Sequence, residues 1–168
     1  MLAFKSISKI IVLIGFILLA SCTSGTSTSG NTMSGIITKD NLLASETSFN
    51  QSYQAFLISE KDKLQVNGWP RDLHIDIYFG AWCHDSQREV PKILSILDNN
   101  PNVTFQLIAL DIEKKDPEHL AKKNNIKYTP TFVVFLAGKE IGRIVERPTQ
   151  SIINDITAMY FNSLKVID

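Results

Sequence analysis

The stretch GAWCHDSQREVP, residues 80–91, decides how the rest of the chain is read. Before it, His74-Ile75-Asp76-Ile77-Tyr78-Phe79 has the composition of a strand, and Gly80 ends it. After it, Val90, Ile93, Leu94 and Leu97 recur on one face at helical spacing, which predicts a helix from about His84 to Asp98. Asn99-Asn100-Pro101 stops that helix. Pro91 falls inside it, removes one backbone hydrogen bond and should kink it. Cys83 therefore sits where a strand hands over to a helix. A site built for dithiol chemistry would carry a second cysteine three positions later, and here that position is Ser86.

Working outward, Val103 to Leu110 reads as a second strand whose unbroken apolar end suggests burial on both faces. Asp116 to Asn124 reads as a short polar helix. Thr131 to Leu136 is a third strand, Ala137-Gly138-Lys139-Glu140 a turn, and Ile141 to Glu146 a fourth strand. A last helix covers about Thr149 to Leu164, with Ile152, Ile153, Ile156, Met159 and Tyr160 inward. Upstream, Phe49, Tyr53, Phe56 and Leu57 predict a helix from about Glu46 to Glu60, broken by Asn67-Gly68-Trp69-Pro70. The order β-α-β-α-β-β-α predicts a three-layer α/β/α sandwich around a mixed four-stranded sheet, with the upstream helix as an extra. Whether residues 36–66 pack on the sheet edge or serve a partner is left open by the residues themselves.

This order, with Trp82-Cys83 at the strand-to-helix junction, resembles the thioredoxin fold over residues 73–164. Pro91 lies where thioredoxins kink the active-site helix. Ile126-Lys127-Tyr128-Thr129-Pro130-Thr131 resembles the segment that carries the family's cis-proline, Gly138 fits the following hairpin turn, and Gly142 sits where thioredoxins tend to be small. The resemblance implies that Cys83 is a nucleophile whose thiolate is stabilised by the helix N-terminus and Ser86. It also implies that Trp82, Thr129 and Pro130 shape a groove whose exposed backbone pairs with substrate chain.

Two departures limit what carries over. Ser86 cannot resolve a mixed disulfide, so the expected chemistry is monothiol exchange completed by an outside thiol such as glutathione or a partner protein. The chain shows no clear glutathione-binding set. Thioredoxins also place a buried Asp six residues before the cysteine, and here Ile77 holds that place. Asp76 is next to it and should point to the opposite face of the strand, which reads as a polar residue near a strand end. His84 and Asp85 pull the thiol in opposite directions, and Arg88 reads as a solvated face residue that could offset Asp85. Trp-Cys-x-Asp-Ser followed by Glu-Val-Pro is similar to bacterial thioredoxin-like proteins that lack the second cysteine.

The N-terminus carries a separate message. Lys5 and Lys9 precede an apolar run from Ile10 to Ala20. Those residues span about 16 Å as a helix, about half of a bilayer core, which fits a signal segment better than a spanning one. An uncleaved anchor extending back to Leu2 is the alternative. Leu19-Ala20-Ser21-Cys22 resembles the lipobox of bacterial lipoproteins. That resemblance implies cleavage before Cys22 and lipidation of its sulfur, with more than one acyl chain for stable anchoring. A chance cysteine behind an ordinary signal peptide is the competing reading. The Ser/Thr/Gly run after Cys22 is expected to be a flexible tether. Thr23, where an Asp would favour inner-membrane retention, tilts the expectation to the outer membrane of the cell envelope. The expected organisation is a signal peptide (1–21), a lipidated tether (22–35), a helical extension (36–70) and a thioredoxin-like domain (71–168).

Composition narrows the remaining classes. With 17 basic and 17 acidic residues, zero net charge and no basic block, nucleic acid is a poor partner. If Cys22 is lipidated, Cys83 is the only free thiol, and no intramolecular disulfide can form. Cys83, His84, Asp85 and His74 are conceivable metal ligands, but adjacent Cys and His rarely reach one ion and no Cys-x-x-Cys pair exists, so neither metal nor cofactor is expected. His119 reads as solvated, and Phe105, Phe132 and Phe135 as core. Two readings stay open: a membrane-tethered monothiol oxidoreductase acting on envelope proteins or small thiols, and a non-catalytic binding module for envelope protein partners in the same fold.

Overall fold

The computed structural model describes residues 33–165. A short strand β1 (Gly35–Ile37) leads into three helices, α1 (Lys39–Ser45), α2 (Thr47–Ala55) and α3 (Glu60–Asn67). Then follow β2 (Leu73–Phe79), α4 (His84–Leu97), β3 (Thr104–Ala109), α5 (Leu120–Lys123), β4 (Thr131–Leu136), β5 (Lys139–Val145) and α6 (Ile152–Leu164). Polar side chains set several helix starts. Thr38, Ser59 and Ser151 each accept from the backbone N–H three residues on, satisfying a donor that the first turn leaves unpaired.

The strands form one sheet in the order β1-β3-β2-β4-β5. β2 and β3 are parallel, joined by α4, and every other pairing is antiparallel. Strand alternation sorts the side chains. Leu73, Ile75, Ile77 and Phe79 enter a core shared with Leu42 of α1, Phe49 of α2, Val66 of α3 and the apolar faces of α4 and α6. Phe49 stacks on Phe79 at 5.7 Å between ring centroids. Each such fully buried ring contributes about 1.5–3 kcal/mol relative to exposure. Tyr78, Ile108, Leu110 and Val133 face the other way onto Ala121 of α5. The fold is thus a three-layer α/β/α sandwich whose second helical layer is thin.

Several expectations need adjusting. The sheet has five strands rather than four, because Gly35–Ile37 pairs antiparallel with Leu107–Ala109. Three residues are too few to show an alternating pattern. The predicted helix over 46–60 ends at Ala55, and a separate α3 begins after Ser59, whose hydroxyl caps it. The helical extension therefore does not lie on the sheet edge, which β1 occupies. Its residues Leu42, Phe49 and Val66 join the main core beside α4. The polar helix expected from Asp116 shrinks to Leu120–Lys123, since the buried Asp116 carboxylate accepts from Leu120 and Ala121 N–H at 2.8 Å each and caps the helix from outside. Phe132 is fully buried, while Phe105 and Phe135 are only partly so.

Two glycines matter for the architecture. A Cβ on Gly142 would lie 2.7 Å from Met159 Sδ, so the bare backbone lets α6 close on β5. Gly138, with φ +78°, forms the two-residue β4–β5 turn with Ala137 at φ 49°. Positive φ at both positions belongs to the hairpin turn whose twist matches the strands.

Candidate active site

Four segments meet at the end of the sheet where β2 stops. β2 runs into Gly80, whose amide donates to the buried Ser86 hydroxyl at 3.3 Å and whose carbonyl accepts from Cys83 N–H at 3.0 Å. That turn places Cys83 at the N-cap of α4. Trp82 folds back over Gly80, its indole N–H donating to the Leu110 carbonyl at 3.2 Å. The ring fills the space a side chain at residue 80 would need: a Cβ there would meet Cε2 at 2.5 Å.

The second wall is the segment before β4. The Thr129-Pro130 peptide is cis, as the resemblance implied, and Thr129 and Pro130 are both buried. Cys83 Sγ lies 3.1 Å from the Thr129 carbonyl oxygen. The structure therefore brings Trp82, Cys83, Ser86, Thr129 and Pro130 into one place, with Cys83 partly exposed. Cys22 lies outside the described residues.

The electrostatics at the sulfur follow from this geometry. Burial alone would push the Cys83 thiol up. Hydrogen bonding on the Thr129 side, by the Ser86 amide and hydroxyl and by the Asp85 amide outweighs burial, and the thiol ends below its ordinary value. The Thr129 share comes from its side chain, whose hydroxyl can donate to a thiolate, whereas the Thr129 carbonyl can only accept from S–H and so holds the neutral thiol. The rest of the downward direction comes from the Ser86 and Asp85 groups, the third and second residues of α4, whose N–H groups have no partner within the helix.

Asp85 would oppose ionisation if its charge stood alone, but it does not. Arg88 Nη1 reaches Asp85 Oδ1 at 2.6 Å and Arg147 Nη2 reaches it at 3.2 Å. The Arg88 hydrogen bond holds the Asp85 carboxyl below its usual range. Arg88 is thus a structural partner rather than a free surface residue, since its Nε also binds the buried Glu89 at 2.6 Å. Arg147 was not legible in the sequence as a partner of Asp85. It arrives from the end of β5, and only the tertiary structure shows the contact.

Other sequence candidates lie elsewhere. His74 is at the far end of β2, bonded to Thr104 and Asp76. Six residues of strand put it about 20 Å from Cys83, out of reach of a shared ion. His84 and His119 are exposed. Asp76 points away from Ile77, toward Tyr78 and His74, on the face opposite the main core. Among the described residues, no group of three or more His, Cys, Asp or Glu is placed to hold a metal.

A family model described as Thioredoxin matches residues 30–158. The chain belongs to the thioredoxin family. The match takes in β1 and α1–α3 as well as β2 onward. A thioredoxin of Echinococcus granulosus is 31% identical over 68 residues, covering 40% of this chain and 60% of that protein. A thioredoxin-like protein of Acanthamoeba polyphaga mimivirus is 32% identical over 68 residues, covering 40% of this chain and 48% of its own length. The chain thus spans less than two thirds of either relative. A protein of unknown function from Pseudomonas aeruginosa superimposes with a TM-score of 0.61 at 13% identity, covering 80% of this chain and 95% of that one. At that identity the likeness concerns the fold alone.

Proposed function

We propose that this thioredoxin-family chain performs monothiol thiol–disulfide exchange through Cys83, on envelope proteins or small thiols, while tethered to a bacterial membrane by lipidated Cys22. The observation that supports the chemistry most is Cys83 at the N-cap of α4, the end where first-turn N–H groups have no partner within the helix, with its thiol held below its ordinary value. The Cys83 thiolate attacks one sulfur of a substrate disulfide. One S–S bond forms and one breaks, and the second substrate sulfur leaves as a thiolate. Ser86 has no sulfur to reverse this, so release needs an outside thiol. The groove made by Trp82, Thr129 and Pro130 receives the substrate.

The tether rests on the sequence: the lipobox-like Leu19-Ala20-Ser21-Cys22 behind a short apolar run, and the Ser/Thr/Gly stretch after it. Two or more acyl chains hold a domain stably at a bilayer, and Thr23 favours the outer membrane. Among the described residues, no helix is long and apolar enough to cross a membrane.

The test is the alkylation rate of Cys83 against pH in the full chain carrying Cys22→Ser, in detergent, with Cys83→Ser as background. Exchange requires a midpoint clearly below the free-cysteine value of about 8.5. A midpoint at or above that value, or no labelling of the folded protein, would leave a thioredoxin-fold binding module with an inert cysteine.

A further inference from the structure

A closed circuit of contacts runs around the Cys83 sulfur. Cys83 Sγ touches the Thr129 carbonyl, at 3.1 Å. The next residue, Pro130, accepts from Glu146 N–H at 2.7 Å. Arg147 follows Glu146 and reaches Asp85 at 3.2 Å. Asp85 is two residues beyond Cys83, in the first turn of the helix that Cys83 caps. Arg147 therefore joins the segment after β5 to the first turn of α4, the helix that begins at Cys83.

The backbone that delivers Arg147 is unusual. Glu146 has φ 60°, and Arg147 N–H donates to the Val145 carbonyl at 2.7 Å across it. A three-residue turn with positive φ at its centre is the rarer and strained kind of γ-turn. Strain of this type persists where the surroundings over-determine it, often at sites of function. Here it turns the chain at the end of β5 and sends Arg147 across to the first turn of α4, where an ordinary continuation of β5 would run on along the sheet.

The guanidinium is not used up on arrival. Asp85 is already held by Arg88 at 2.6 Å, and Arg147 makes a single 3.2 Å contact with its side chain 68% exposed. An Arg carries five donors in a planar fork suited to carboxylate, so most of this fork faces solvent at the first turn of α4, which Cys83 caps. We infer that Arg147 is a specificity-determining residue that favours small disulfides bearing a carboxylate near the attacked sulfur. The inference rests on the exchange reading of Cys83. Arg147 attracts the carboxylate, orients the disulfide over Cys83 and takes no part in the bond exchange. Glu146 carries the opposite charge next to it, so the role of Arg147 is read by difference between variants.

The experiment uses the full chain with Cys22→Ser in detergent and two aromatic disulfides that report their released thiolates. One is 5,5′-dithiobis(2-nitrobenzoate), which carries carboxylates; the other is 2,2′-dithiodipyridine, which carries none. Arg147→Gln is expected to slow the carboxylate reagent about threefold more than the neutral reagent, as an exposed ion pair allows; the smaller change in the neutral reagent reports the loss of the Arg147–Asp85 contact on the thiol itself. Arg147→Glu should widen the difference to about tenfold, Arg147→Lys should restore part of it, and high salt should erase it. Equal effects on both reagents would show that Arg147 acts on the thiol itself, and no effect on either would show that it is a bystander. Either result overturns the inference. If neither reagent reacts with the parent protein, the exchange reading fails and the inference falls with it.

Discussion

Replacing Gly80 by Ala tests how tightly the site's architecture is coupled. The added Cβ would meet Trp82 Cε2 at 2.5 Å, and Cζ2 and Nε1 at 2.8 Å. An indole is a rigid plate, so the whole ring must move rather than one flexible end. Moving it breaks the bond to the Leu110 carbonyl, a loss of about 1 kcal/mol. The crowding itself costs about 1–3 kcal/mol. The sum is a destabilisation of about 2–4 kcal/mol, measured by urea unfolding. Emission from Trp82, isolated with Trp69→Phe in both parent and variant, should shift to longer wavelength as the ring enters water. Gly80 also donates to Ser86 and accepts from Cys83 N–H, so the alkylation midpoint of Cys83 should rise with the same substitution. A midpoint of unfolding within about 0.5 kcal/mol of the parent, with unchanged Trp82 emission, would refute the packing argument.

Three further outcomes follow from the same geometry. Ser86→Ala removes a donor to the sulfur and the acceptor for the Gly80 amide, so Cys83 alkylation should shift to higher pH and stability should fall by about 1–3 kcal/mol. Because the folded thiol sits below its unfolded value, the unfolded chain binds more protons in the window between the two. The parent should therefore gain stability relative to Cys83→Ser as pH rises through that window and lose the gain as pH falls through the folded value, as read by urea unfolding at a series of pH values. Ala137→Asn should raise the unfolding midpoint by up to about 1 kcal/mol, because Ala137 holds φ 49° in a two-residue turn that favours Asn-Gly.

The legible parts of the fold were those with a repeating pattern. Leu73–Phe79 alternates, α4 carries its apolar face at helical spacing, and Thr129-Pro130 stands before a clear strand. The alternation also placed Asp76 on the face away from Ile77. Patterns fail where an element is shorter than its own period, as with β1, or where a cap overrides composition, as Ser59 does between α2 and α3. Ser59-x-x-Asp62 is in fact a helix-start signal, and Asp62 N–H donates to Ser59 at 3.2 Å. The site divides the same way. Cys83 and Pro130 are marked by their neighbours in the chain. Arg147 is not, because its partner Asp85 lies on a different element and the turn that joins them is set by Glu146 alone.

The position of β1 bears on how the chain assembles. Among the described elements it comes first in the chain, yet its partner residues Leu107–Ala109 come only after β2 and α4. Contacts so distant in sequence close late, since loop-closure entropy must be overcome first. The outer edge of β3 therefore stays open during synthesis, with Leu107, Ile108 and Ala109 next to it, until the N-terminal segment returns to cover it. A chain cut within this segment would leave that edge bare in the finished domain. Its first symptom should be self-association, before any change at Cys83.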